Sequence, residues 1–256
     1  MCTLLLAHHP TPGTLLAISG NRNEFLARTA EGIAEWPVAP GAPRIVAPRD
    51  GKAGGTWQGV NQHGLFVCLT NRRHATIAAD RRSRGLLVAE ALTKPSAHAV
   101  YEWLGTLRGE DYNGFHLVAA DLGEAWLAIG DGKTIQRDEL SPGVHLITER
   151  SFGAGEGMRE QEARAAYAAL FSEGDPTVEE LRRPMQAHAE KESPLESACV
   201  HAELFGYGTR SSFQLLVPIR GPVTALWSEG KTCTSPARDV SALVGPCFPE
   251  GTSGRG

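Results

Sequence analysis

Cys2-Thr3-Leu4-Leu5-Leu6-Ala7 is interrupted by His8-His9-Pro10-Thr11-Pro12-Gly13 and resumes as Thr14-Leu15-Leu16-Ala17-Ile18-Ser19. Two short apolar runs around a break rich in Pro and Gly predict two strands joined as a hairpin. Antiparallel pairing returns the end of the second run, Gly20-Asn21-Arg22-Asn23-Glu24, to the start of the chain. Cys2 directly follows Met1. Loss of Met1 would leave a thiol and an α-amine on one residue. An α-amine titrates at about 7.7–8.0, so part of it is neutral near pH 7 and can accept a proton. One residue then carries nucleophile and base together. Taken by itself, Cys2 also reads as a small residue at a chain start, and Arg22 with Glu24 as a solvated ion pair in a turn.

Further along, Gly54-Gly55-Thr56-Trp57-Gln58-Gly59-Val60-Asn61, the turn Gln62-His63-Gly64 and the run Leu65–Thr70 predict a second hairpin, closed by Asn71. Residues 25–53, rich in Pro, Ala and Gly, read as an ordered loop with a short helical piece near 24–30. Ser83 and Ser96 are placed to cap helices over 84–93 and 97–107, the first stopped by Pro95. Strands are expected at 115–121, 125–129, 135–138 and 144–148. Helices follow at 158–171 and 177–189, the second interrupted by Pro184. Closing strands are expected at 200–204, 209–218 and 223–229. This order predicts an α+β fold of mainly antiparallel sheets, packed together and covered by helix pairs, in a single domain over 1–245. The Pro-, Gly- and Ser-rich stretch 246–256 reads as a disordered tail.

A net charge of -4 offers no electrostatic footprint for nucleic acid or a membrane surface. No apolar run reaches the roughly 18 residues of a membrane helix, and Leu4-Leu5-Leu6-Ala7 lacks the basic flank of a signal peptide. The five cysteines show no CxxC spacing, which argues against a structural zinc site or a disulfide scaffold and for a reducing, cytoplasmic setting. The nine histidines show no HExxH pattern, so no metal site is expected. Oligomeric state is not encoded in any of these features.

Four groups carry residue types suited to chemistry. Cys2 is the first. Arg22 is the second, because a cation near a thiol favours the thiolate, with Asn21 and Glu24 beside it. The third is Asn61 and Asn71; an amide at a strand end either donates to a developing oxyanion or simply terminates the strand. The fourth is Tyr207-Gly208-Thr209-Arg210-Ser211-Ser212, where Arg210 either binds an anion or points outward from an alternating strand. His8-His9 are candidate iron ligands or ordinary turn residues.

Together, Met1-Cys2-Thr3, Gly20-Asn21-Arg22-Asn23-Glu24, 50–60 (Asp50 through Gly54-Gly55-Thr56-Trp57 to Val60), Leu69-Thr70-Asn71-Arg72, Ser83-Arg84-Gly85-Leu86-Leu87, Tyr112-Asn113-Gly114-Phe115 and Tyr207–Ser212 resemble the NRDE-motif family, which includes the transport and Golgi organization protein 2 group. The resemblance implies an N-terminal nucleophile hydrolase-like fold, a four-layer α-β-β-α sandwich. In the related cysteine amidases of the bile-salt hydrolase and penicillin V acylase type, the thiol attacks an amide and the α-amine relays protons. On that pattern Cys2 is the nucleophile, Arg22 its electrostatic support and Asn71 the oxyanion donor, with Asn21, Glu24, Asn61 and Arg210 as substrate contacts. Position 23 reads Asn where the family motif has Asp, and Glu149 stands where those amidases carry a second oxyanion asparagine. The family also implies haem handling. Two functions follow as expectations: hydrolysis of a small-molecule amide or related acyl bond without a required cofactor, or non-catalytic binding and trafficking of haem in the same pocket.

Overall fold

The opening hairpin forms, and its second strand runs further than its apolar core. In chain order the strands are β1 Cys2–Thr11, β2 Thr14–Phe25, β3 Ala30–Glu35, β4 Ile45–Asp50, β5 Gln58–Asn61, β6 Phe66–Asn71, β7 Phe115–Ala120, β8 Ala125–Gly130, β9 Ile135–Glu139, β10 Gly143–Thr148, β11 His201–Ala202, β12 Tyr207–Pro218, β13 Thr224–Glu229 and β14 Arg238–Asp239. The α-helices are α1 Arg84–Ala91, α2 Ala97–Leu104, α3 Met158–Ser172, α4 Val178–Arg182 and α5 Ser241–Val244. The computed structural model describes residues 2–249 apart from Val38, His74, Thr76, Ala154 and 189–193. Met1, the end of the helix expected over 177–189 and the tail from 250 onward therefore lie outside the described residues.

The chain divides into two compact units, each with a seven-stranded antiparallel sheet. The first unit contains residues 2–28 and 142–245, and its sheet runs β10-β1-β2-β12-β13-β14, with β11 paired to β12. Alternation sorts its side chains. Leu5 and Ala7 of β1 and Ala17 of β2 pack with Tyr167 and Phe171 of α3, with Leu181 of α4 and with Met185 of the 3-10 turn Arg183–Gln186. Tyr167 Oη and Ser19 Oγ both donate to the Leu181 carbonyl, at 2.9 and 2.8 Å, fixing the helices against the sheet. Pro184 ends α4, as a residue without an amide proton should.

The second unit contains residues 29–141 and 246–249, and its sheet is the sequential meander β3-β4-β5-β6-β7-β8-β9. Leu65, Val67 and Leu69, two residues apart, share a face with Phe115, Leu117 and Ala119 and pack against Leu87, Val88 and Ala91 of α1 and Val100 and Leu104 of α2. Ser83 and Ser96 cap these helices, accepting from Gly85 N and Ala99 N.

Two expectations are corrected. The loop and helical piece read over 24–53 are instead the end of β2 followed by β3 and β4. Only Ile33 of β3 is buried, so no apolar period announced it. Pro48 is tolerated in β4 because it lies opposite the register irregularity between Glu31 and Ala34 and beyond the two residues that pair with β5. The boundary at 246 also moves, because Cys247 and Phe248 are buried in the second unit. Among the described residues, no helix is long and apolar enough to cross a membrane.

Candidate active site

The ladder registers of the first unit assemble the site. Cys2 pairs with Arg22 across β1 and β2, and Arg22 pairs in turn with Ser211 of β12. Residues opposite one another in an antiparallel pair share a face. Leu5, Ala7 and Ala17 face the helices, so Cys2 and Arg22, of opposite parity, face away from them. Glu24, two residues beyond Arg22, takes the same face, with Oε2 3.8 Å from Arg22 Nη2 and 3.6 Å from Arg28 Nη1. Arg22 is buried and Cys2 is half-buried.

On the other side of β1, Thr3 pairs with Thr148. Glu149 follows Thr148 directly, in the turn that ends β10. Its carboxylate is not left bare: Arg159 Nη2, from the first turn of α3, binds its two oxygens at 2.9 and 3.0 Å. The same guanidinium meets Glu160 Oε1 at 2.5 Å, and Thr148 Oγ1 donates to that oxygen at 2.9 Å. Burial works against the Arg159 charge, but Glu149 and Glu160 outweigh it and hold its pKa above the ordinary arginine value. Burial likewise opposes the Glu160 charge, but the bond and charge of Arg159, with the bonds from Thr148 and the Gly157 amide, together outweigh it, so the carboxyl lies below its usual range.

Tyr207 joins this neighbourhood. Burial pushes its phenol well above the ordinary tyrosine range, and negative charge at Cys2, Glu24 and Glu149 acts in the same direction. Its hydroxyl donates to the Asn23 carbonyl at 2.6 Å. Arg159 was not singled out from sequence, and Tyr207 entered only within the stretch 207–212 read for Arg210. The signal for Arg159 was its position in the first turn of a helix, ten residues after Glu149.

The other expected residues are distributed differently. Asn21 lies on the helix-facing side, where Nδ2 donates to the Met185 and Ala198 carbonyls at 2.8 and 2.9 Å and Oδ1 accepts from Thr232 Oγ1 at 2.6 Å. Alternation therefore places it on the face opposite Cys2, where its side chain knits distant segments together. Asn23 shares that face; its Oδ1 accepts from Thr209 Oγ1 at 2.6 Å while Nδ2 points to the Ala198 carbonyl at 3.5 Å, a donor that aspartate lacks. Arg210 is the extra residue of an irregularity between Thr209 and Ser211, and its Nη1 donates to the Leu26 carbonyl at 2.5 Å. Asn61, in the second unit, is wholly buried. It donates to the Leu92 and Lys94 carbonyls and accepts from the amides of His63 and Leu65. Asn71 is exposed at the end of β6, paired with Phe115. His8 is buried six residues along β1 from Cys2, which is about 20 Å at roughly 3.3 Å per residue, so the two cannot share one iron.

The model of the family described as Transport and Golgi organisation 2 matches residues 1–226. A Transport and Golgi organization protein 2 homolog of Bos taurus is 29% identical, over 88% of this chain and 91% of its own length. The Homo sapiens homolog is 27% identical over the same shares. Among solved structures, a variant of the conjugated bile acid hydrolase from Clostridium perfringens superposes with a TM-score of 0.62 at 10% identity, covering 94% of this chain and 93% of its own. An N-acylethanolamine-hydrolyzing acid amidase ortholog from Caenorhabditis elegans gives 0.52 at 12% identity, covering 84% and 92%. These likenesses carry the fold, which is of the N-terminal nucleophile hydrolase type.

Proposed function

We propose a function for a chain that belongs to the Transport and Golgi organisation 2 family: hydrolysis of an amide or related acyl bond in a small molecule, with Cys2 as the mature N-terminal nucleophile. The observation that supports this reading is the register setting Cys2 directly opposite a buried Arg22 on one face of the sheet. A fixed cation beside a thiol stabilises its thiolate. Once Met1 is removed, the Cys2 amine takes the thiol proton as sulfur bonds to the substrate carbonyl carbon. The C–N bond then breaks, the leaving amine receives that proton, and water hydrolyses the thioester to release the acid and restore the thiol. Arg159 has its part in keeping Glu149, which follows the partner of Thr3, neutralised, so that this carboxylate does not repel the oxyanion. N-acylethanolamines, named for one structural relative, are substrates of the class meant here. A reducing, cytoplasmic setting suits a working thiol.

Intact-mass analysis of the native protein with a thiol-reactive acyl probe tests the proposal. The expected result is a chain lacking Met1 that gains one acyl group at Cys2, and a Cys2→Ala variant that gains none there. Retention of Met1, or labelling that ignores Cys2, overturns it. Haem titration of the same sample addresses the alternative role as a non-catalytic haem carrier: a Soret shift at micromolar haem, with no acylation of Cys2, would favour that role.

A further inference from the structure

Three segments that are distant in sequence meet at the edge of the first unit with two thiols and two imidazoles. Cys199 Sγ lies 3.4 Å from Cys233 Sγ and 3.6 Å from His201 Nε2, and His201 Nε2 lies 3.0 Å from Cys233 Sγ. His188 joins them: one ligand atom each from His188, His201 and Cys233 fall within 4.8 Å of one another. Its ring stacks on that of His201 with centroids 4.9 Å apart. Both cysteines are free thiols.

We propose that Cys199, His201, Cys233 and His188 form a tetrahedral S2N2 site for a zinc-class divalent cation, separate from the Cys2 centre. Zn–S bonds of about 2.3 Å and Zn–N bonds of about 2.0–2.1 Å put the corners of a zinc tetrahedron roughly 3.5–3.8 Å apart. The three contacts among Cys199, His201 and Cys233 come within about 0.6 Å of those edges, and His188, exposed and next to them, closes the fourth corner by a side-chain rotation. Two sulfurs and two imidazole nitrogens in this arrangement select zinc over magnesium or calcium, which take oxygen ligands.

The surroundings are those of a constructed site. Cys199 N donates to the Ala187 carbonyl at 2.9 Å, which brings His188 to the cluster. His188 Nδ1 sits 3.3 Å from the Gln186 carbonyl, the outer-shell contact that leaves Nε2 to the metal. Arg182 Nη2 donates to the carbonyls of Thr232 and Ser235 at 2.7 Å, fixing the turn that presents Cys233. Asn21 binds the carbonyls of Met185 and Ala198 and the hydroxyl of Thr232, one residue from two of the four ligands and three from a third. His188 also lines a cavity of about 300 Å³, together with Met158, Arg159, Ala163, Pro184 and Ala198 among others.

Cobalt(II) reports this geometry without reference to activity. The full chain, stripped with a chelator and kept reduced with a phosphine, is titrated with Co²⁺ alone. The expected result is one Co²⁺ per chain, with the intense red d–d bands of a tetrahedral ion and near-ultraviolet thiolate-to-cobalt charge transfer, both abolished by one equivalent of Zn²⁺. Cys233→Ser should halve the charge transfer, and His188→Ala should weaken Co²⁺ binding by about tenfold or more. Cys199 is wholly buried and its replacement risks the fold, so these two less buried positions carry the test. Weak octahedral bands, absence of binding at micromolar Co²⁺, or a Cys199–Cys233 disulfide in native protein trapped by thiol alkylation would each overturn the site.

Discussion

The two units have sheets of equal strand number and the same helix-on-sheet packing, yet they bury different polar side chains. Among the described residues, the second unit buries one charged group, Asp50, whose carboxylate accepts from Ala53 N in a turn. The first buries Arg22, Glu149, Arg159 and Glu160. Moving a charge out of water costs several kcal/mol even after relaxation, so an ion cluster of this kind is poor value as a source of stability alone. Arg22 lies opposite Cys2 and Glu149 follows Thr148, the partner of Thr3, and this position supplies a reason to retain the charges. In the second unit the buried charge serves a turn; in the first, one buried charge lies directly opposite a thiol.

The largest effect that would test this contrast is at Arg159. Arg159→Met leaves Glu149 and Glu160 buried with their shared cation gone, a loss expected to cost about 3–5 kcal/mol in denaturant unfolding. A double variant that also carries Glu149→Leu should recover part of it, since removing both partners of a buried pair costs less than removing one. The pH dependence follows from Glu160. Its carboxyl is held below its ordinary value in the folded chain, so its stabilising contribution is present above the unfolded carboxylate pKa of about 4.3 and is lost as pH falls through the lower folded value. Arg159→Met removes the principal cause of that lowering and should flatten the acid limb of the stability curve. A cost below about 1 kcal/mol with an unchanged acid limb would place Arg159 among ordinary surface pairs and remove the contrast between the units.

These features differ in how far they can be read from sequence. The β1–β2 hairpin was legible because its signals are local: two apolar runs, a Pro-Gly break and a return that carries Arg22 back to Cys2. The caps at Ser83 and Ser96 were legible for the same reason. Hairpin geometry did not disclose the face. Asn21 and Arg22 are adjacent in sequence, but the two-residue period sends one to the helix side and the other to the thiol side. The Arg159–Glu149 pair joins a helix start to a strand end with no periodic signature, and β3 hides among alanines and glutamates with one buried isoleucine. The cluster of two cysteines and two histidines was invisible because His188, Cys199, His201 and Cys233 have no metal-site spacing and meet only when β11, β12 and the turn after β13 fold together.

A smaller effect is expected on the other side of the comparison. Asn61 is as deeply buried as any residue of the first unit, but its partners are the backbone of its own turn and the carbonyls that end α1. Asn61→Ala should cost about 2–3 kcal/mol, because two carbonyls lose a donor inside the protein, measured as a lower urea midpoint at unchanged slope. Acyl labelling of Cys2 in the folded variant should stay at the wild-type rate. A labelling defect greater than the stability loss would assign Asn61 to substrate and would erase the division of labour between the units.

The smallest effect is at Ser96. Its hydroxyl accepts from Ala99 N at 3.1 Å at the start of α2, where backbone amides lack intrahelical partners. Ser96→Ala ordinarily costs about 1 kcal/mol at an N-cap. Here Asp121 Oδ2 accepts from Ala97 N at 2.8 Å, so a second orphan amide is met from outside the helix and remains met in the variant. The carboxylate also lies at the positive end of the helix dipole, which favours it. The expected cost is therefore toward the low end of the N-cap range, roughly 0.5–1 kcal/mol by urea unfolding. Asp121→Asn in the Ser96→Ala background should then cost more than Asp121→Asn alone, because each cap limits the fraying exposed by loss of the other. Simple additivity of the two would show that α2 is held by its apolar packing on β7 and β8 rather than by its caps.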